Sequence, residues 1–159
     1  MQRWELPVKS VIGRIVLNAS EAEELAQETF VQRWQQRARY RPDAPFRPWI
    51  FAIAVNLARN RLRWWKRRPL VALDDWTELP ARAEHAAGLG RMEQAERVAA
   101  IRDAIAELPV EMREALVLFE YEQMSYAEIA EAVGVTTKAV ENRIARAREK
   151  LRPKLERWL

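Results

Sequence analysis

Cysteine is absent from the 159 residues, and histidine occurs once, at His85. No disulfide and no thiolate metal site can form, and a single imidazole cannot build a histidine cluster. Glycine is scarce, with four residues and no glycine-rich loop of the kind that cradles nucleotide phosphates. No apolar run approaches the roughly 20 residues needed to cross a bilayer, and the opening MQRWELPVKS lacks the apolar centre of a signal peptide. No metal, no cofactor and no membrane insertion are therefore expected. Enzymatic chemistry has little to stand on, and the cytoplasm is the expected compartment.

What is present is helical periodicity and charge. At 31% charged and 49% hydrophobic residues, the composition is that of a soluble globular protein, long enough for one ordinary domain or two small ones. The most informative stretch is Ser125 to Leu151, which holds two helix starts separated by a glycine turn. Ser125 and Glu128 make a reciprocal capping box for a short helix from Tyr126, with Ile129, Ala130 and Val133 on its apolar side. Gly134 supplies the turn, and Thr136 caps a second helix whose buried stripe is Val140, Ile144, Ala147 and Leu151. The opposite face carries Thr137, Lys138, Glu141, Asn142 and Arg146, side chains able to reach base edges and phosphates from a major groove. Any αα-hairpin also fits this local pattern, but the charge distribution favours nucleic acid. Lys138 to Arg157 holds eight Lys/Arg against three Asp/Glu, whereas Ile101 to Thr137 holds two against eight.

Upstream, Val8, Val11, Ile12, Ile15 and Val16 predict a helix over 8–17 with Pro7 in its first turn and Gly13 interrupting the pattern. Asn18, Ala19 and Ser20 read as the loop, and Ser20 with Glu23 as the capping box of a helix to about Gln36. Ala22, Leu25, Ala26, Thr29, Phe30 and Trp34 form its expected core side. Glu21, Glu24, Gln27 and Glu28 gather on the other, where carboxylates near a helix N-terminus are favourable without any partner. The prolines of ARYRPDAPFRP demand a loop, after which Pro48 starts a long helix. Ile53, Ala54, Leu57, Ala58, Leu62 and Trp65 line its apolar side; Asn56, Arg59, Asn60, Arg63 and Arg67 fall opposite, joined by Trp49. An aromatic ring among guanidinium groups is a platform for unpaired bases, so Trp49 is expected at a surface and Trp65 in the core.

Residues 1–68 carry 14 Lys/Arg against six Asp/Glu, and residues 69–100 carry three against six. Pro69, Pro80 and the Gly88–Gly90 pair mark the second segment as a linker. The expected fold is all-α, with two small helical domains, 1–68 and 101–159, joined by 69–100. Leu108-Pro109 begins a further helix beneath the helix-turn-helix, with Ala115, Leu116, Leu118 and Phe119 as its apolar positions.

In order, EAEELAQETFVQRW, FRPWIFAIAVNLARNRLRWWKRRP and LPVEMREALVLFEYEQMSYAEIAEAVGVTTKAVENRIARAREKL resemble the two conserved regions of the extracytoplasmic-function (ECF) sigma factors of bacterial RNA polymerase. The resemblance implies that the helix of Glu21, Glu24, Gln27 and Glu28 docks on the clamp helices of the beta-prime subunit of core RNA polymerase. It implies that Tyr40, Phe46, Trp49, Asn56, Arg59, Asn60, Arg63 and Arg67 melt and read the promoter's minus-ten element as single-stranded DNA. It implies that Thr137, Lys138, Glu141, Asn142, Arg143, Arg146 and Arg148 read the minus-thirty-five element as duplex, with this unit touching the beta flap. Small sigma factors are commonly held by an anti-sigma factor, which adds that partner. Two departures carry expectations: the chain begins later than the family's first helix usually does, which predicts either a shortened helix with weaker docking or a true start upstream. Glu141 stands where relatives often have lysine, so it would accept from a cytosine amino group rather than hold a phosphate. Two other classes remain open from sequence: a duplex-binding helix-turn-helix regulator, and a sigma-like adaptor that binds an anti-sigma factor without touching DNA.

Overall fold

Apolar residues recurring every three to four positions fold the chain into helices that bury one stripe each. The computed structural model describes residues 2–67 and 89–158. Among these, α1 spans Gln2–Val16, α2 Ala19–Gln35, α3 Phe46–Arg67, α4 Leu89–Ala106, α5 Val110–Glu122, α6 Tyr126–Val133 and α7 Thr137–Leu155. Single turns of 3₁₀ helix at Arg37–Arg39 and Glu156–Trp158 complete them, and there is no strand among the described residues. The all-α architecture is therefore as the periodicity indicates. Pro69, Pro80, His85 and Gly88 lie outside the described residues, as does the expected linker up to 88.

Several local expectations need correction. The first helix starts at Gln2, so Pro7 sits in its interior rather than its first turn. The carbonyl that Pro7 leaves unpaired is that of Arg3, an exposed residue where water is available. The earlier turn also positions Trp4, whose ring lies 5.2 Å from Phe46 and 6.4 Å from Phe51. The loop after it is only Leu17 and Asn18. Leu17 takes a left-handed conformation (φ 61°), and Asn18, not Ser20, caps α2 by accepting from the Glu21 N–H at 3.0 Å. Asn18 is extended and buried there, while Ser20 is exposed within the helix. Trp34 is not in the core: it is 62% exposed, with Arg37 lying 4.0 Å over its ring and donating to its carbonyl. The long helix begins at Phe46, two residues before Pro48, and a further helix, α4, begins within the stretch read as linker.

The three N-terminal helices pack on one another, and α5, α6 and α7 form a second group with α4 against α7. The two groups are in contact: α3 packs on α6 and α1 on α5, so one apolar core runs through both. Arg113 on α5 lies at this junction, buried. Its guanidinium donates to the carbonyls of Ile105, Ala106 and Leu108, where α4 ends, and to the carbonyl of Ile15 near the end of α1. Helix C-termini leave carbonyls without intrahelical partners, and one planar five-donor group reaches three of them here together with the Leu108 carbonyl of the following turn. Burial pushes the Arg113 pKa down, with nearby Glu114 opposing. A second crossing contact is Arg47 on α3, which donates to both oxygens of Glu128 at 3.1 and 2.9 Å and to the Glu122 carbonyl at 3.1 Å.

Two outcomes follow. Arg113→Met should lower stability by about 3 kcal/mol in urea unfolding, because it strands buried acceptors rather than because it deletes a charge; a loss within experimental error would refute this role. Glu128 is held below the usual glutamate range, first by its hydrogen bonds from Arg47, with burial opposing. A depressed carboxyl stabilises fully above its unfolded value and loses that contribution as pH falls through the lower folded value. The stability advantage of the wild type over Glu128→Gln should thus be level near neutrality and shrink in acid. An advantage independent of pH would show that the ion pair contributes nothing.

Candidate nucleic-acid interface

Three surfaces gather the polar residues singled out above. The first is α7, held at its angle by the caps before it. Ser125 Oγ accepts from the Glu128 N–H and the Glu128 carboxylate accepts from the Ser125 N–H, both at 3.1 Å, completing the expected capping box. Gly134 ends α6 at φ +75°, and a Cβ there would meet nothing within 4 Å, so glycine is required by the backbone angle rather than by space. Thr136 then accepts from the Ala139 N–H at 3.1 Å to start α7. Val140, Ile144 and Ala147 are buried, which leaves Thr137, Lys138, Glu141, Asn142 and Arg146 exposed along the opposite side. Lys138 pairs with Glu141 at 3.2 Å. Arg143 is half-buried, and Arg148 pairs with Glu120 at 2.9 Å while lying 5.2 Å over the Phe119 ring. This is a helix with an exposed polar face, on which one cation is already paired within the helix.

The second surface is α3 and the loop before it. Tyr40 stacks on Trp49 with ring centroids 4.6 Å apart and an interplanar angle of 27°, and Phe46 meets both edge-on. Arg33 lies 4.9 Å over Phe46, and the Tyr40 hydroxyl donates to the Ala44 carbonyl at 3.0 Å, closing the loop on itself. Trp49 is half-buried: one side rests on the core and the other is covered by Tyr40. Trp65 is also half-buried against the core, with its indole N–H left without an acceptor. Beyond the rings, Asn56, Asn60, Arg63 and Arg67 are exposed. Arg59 is not free like its neighbours: its Nε and Nη2 donate to the two oxygens of Glu114, both at 2.7 Å, and Nη2 also reaches the Val133 carbonyl at 3.3 Å. Those bonds raise the Arg59 pKa against the opposing effect of burial.

The third is the acidic side of α2. Gln27 is exposed and Glu28 half-buried, but Glu21 is paired with Arg61 of α3, which also lies 3.6 Å from Glu24. Arg61 was not singled out by sequence, since its partners lie 40 and 37 positions earlier and no local pattern links them. Val31, 54% exposed, and Trp34 extend this surface toward the end of α2. Val31 sits at the spacing that follows Glu24 and Gln27, which places it on the same stripe.

Residues 1–68 match the family described as Sigma-70 region 2, and residues 99–151 match Sigma-70, region 4. An RNA polymerase sigma-H factor of Pseudomonas aeruginosa is 34% identical over 157 residues, covering 92% of this chain and 79% of that protein. An ECF RNA polymerase sigma-E factor of Haemophilus influenzae is 29% identical over 166 residues, covering 98% of this chain and 85% of that one. Among solved structures, the sigma factor RpoE of Bartonella quintana, in complex with the anti-sigma factor NepR, has the same fold, with a TM-score of 0.72 at 24% identity over 98% of this chain and 95% of that one. With both family regions in order and relatives of this identity spanning nearly its whole length, the chain belongs to the ECF group of RNA polymerase sigma factors.

Proposed function

We propose that this chain binds core RNA polymerase, directs it to a set of promoters and assists in opening them, acting in the cytoplasm and without catalytic chemistry of its own. The observation that supports this reading is the joint presence of an exposed polar face on the second helix of a capped helix-turn-helix, α7, and a polar, aromatic-flanked face on α3. A plain duplex-binding regulator would use the first and has no need of the second. In the proposed division of labour, residues 1–68 dock on the polymerase and engage the minus-ten element, 101–159 engage the minus-thirty-five element and the beta flap, and 69–100 connect them.

On α2, Glu24, Gln27 and Glu28 present carboxylates and an amide to the clamp helices of the beta-prime subunit, with Arg61 fixing Glu21 and Glu24 from behind. On α3, the exposed amides of Asn56 and Asn60 and the cations of Arg59, Arg63 and Arg67 offer donors to bases and phosphates of a separated strand, with Tyr40, Phe46 and Trp49 for stacking. On α7, Thr137, Lys138, Asn142 and Arg146 reach base edges, with Arg143 and Arg148 toward the backbone. Glu141, paired to Lys138, accepts from a cytosine amino group or else tempers its neighbour's charge. An anti-sigma factor is the proposed inhibitory partner, as the complex of the Bartonella quintana relative suggests.

Glu24→Lys with Glu28→Lys reverses the docking charge while leaving the helix formed; the expected cost in stability is no more than about 1 kcal/mol per site. Pull-down with core polymerase should be lost, and undiminished capture would remove the docking role. Promoter opening tests the α3 face. Base stacking on an aromatic ring is worth about 1–3 kcal/mol, comparable with unstacking one base. Trp49→Ala with Asn56→Ala should leave polymerase binding intact yet abolish permanganate reactivity of promoter thymines, and a pre-melted template should restore transcription. Normal opening by the folded double variant would return Trp49 to a purely structural role.

A further inference from the structure

Lys138 and Glu141 meet on the exposed side of α7, with Nζ 3.2 Å from Oε2 and side chains 74% and 50% exposed. The pair does little for the helix. Lys138 stands in the first turn, where a cation opposes the macrodipole, and a lysine that precedes its glutamate runs against the same dipole. An exposed ion pair of this kind contributes little to stability. Nor is it placed to hold phosphate: its charges cancel, and affinity for the backbone comes from net cations that release counterions. What the pair presents is a hydrogen-bond donor and an acceptor side by side, in the N-terminal turns of the helix read above as lying in a major groove.

Every base pair shows the major groove an acceptor and a donor bonded to each other, about 2.9 Å apart, close to the spacing of this side-chain pair. In G·C they are guanine O6 and cytosine N4; in T·A they are thymine O4 and adenine N6. What flanks this central couple separates the two pairs. Beside guanine O6 lies N7, a second acceptor for an ammonium that has three donors, whereas beside thymine O4 lies the methyl group, which crowds it. Beside cytosine N4 there is only a ring C–H, whereas beside adenine N6 lies N7, an acceptor that repels a carboxylate. We propose that Lys138 and Glu141 act as one reading unit for a single G·C pair of the minus-thirty-five element, Lys138 on guanine O6 and N7 and Glu141 on cytosine N4. The proposal rests on the reading of α7 as the duplex-binding helix, and it makes the carboxylate a selector of sequence rather than a moderator of its neighbour's charge. On docking, the bond between the two side chains is exchanged for bonds to the base pair, so neither charge is left in the groove without a partner.

The test uses the full chain bound to core polymerase, which selects from promoter-length duplexes of random sequence, and the retained molecules are sequenced. The wild type should select an upstream element with G·C at one position. Glu141→Ala should make that position alone degenerate. Glu141→Gln should shift it toward adenine on the strand that held cytosine, because an amide pairs with adenine N6 and N7. On the selected duplex, Lys138→Ala and Glu141→Ala should each weaken binding about ten-fold, and the double variant by little more than either alone. The double variant keeps the net charge, so the salt dependence of its affinity should match that of the wild type. Replacing the selected cytosine by N4-methylcytosine should reproduce the Glu141→Ala loss in the wild type and add nothing in that variant; its wild-type arm needs no substitution in the protein at all. A position unmoved by both Glu141 variants overturns the proposal, and so does full affinity of the wild type for the methylated duplex. A shallower salt dependence in the double variant also overturns it, and makes Lys138 a phosphate contact. If the wild-type complex selects no upstream element, the reading of α7 fails along with the proposal. Selection of an element indifferent to Glu141 leaves that reading standing and removes this inference alone.

Discussion

The packing of this molecule depends on one buried guanidinium. Arg113 satisfies the carbonyls left over where α4 ends and reaches the last turn of α1, so two helix termini that would otherwise need water are brought into a dry interior. Without it the turn between α4 and α5 would have to stay solvated, and α5 could not lie against α1. The position of α5 in turn decides where Glu114 sits, and α6 follows from α5 through a three-residue turn in which Gln123 takes a left-handed conformation. The location of the helix-turn-helix relative to the N-terminal helices therefore traces back to a residue with no part in the proposed DNA contacts.

The proposed binding surfaces differ in how firmly they are built. The face of α7 is a solvated stripe on a helix whose caps and buried side are complete, so its side chains can be exchanged with little effect on the fold. The rings at the start of α3 are another matter: Trp49 and Phe46 pack on the core and on each other while offering edges to the outside. Binding there draws on the same contacts that hold the loop. A base that stacks in this cluster must compete with the Tyr40–Trp49 pair, an exchange of one aromatic contact for another rather than a pure gain.

Sequence made the local grammar legible where signal and partner lie within one turn. Ser125, Glu128, Gly134 and Thr136 were readable because capping and left-handed turns are three-residue affairs, and the buried stripe of α7 because helical period is local. Trp34 was misplaced since its position on α2 lies at the boundary of the apolar arc, where a nearby Arg37 holds the ring outside. Asn18 lost to Ser20 in the reading because both precede acidic residues at capping distance, and only the backbone of Leu17 decides between them. The ion pairs of Arg59 with Glu114, Arg61 with Glu21 and Arg47 with Glu128 span 40 to 81 positions. Charge counts separated a basic N-terminal half from an acidic support, but they could not assign which cation meets which carboxylate.

The continuity of the apolar core between α3 and α6 and between α1 and α5 has a thermal consequence. Parting the two groups of helices would wet apolar surface, and wetting apolar surface raises heat capacity. The balance between closed and parted forms must then bend with temperature, with closure strongest in an intermediate range and weaker on either side. The ion pairs set which residues meet, but this curvature comes from the carbon surface between them. The contact between the two groups of helices therefore responds to temperature through its carbon surface as well as through its ion pairs.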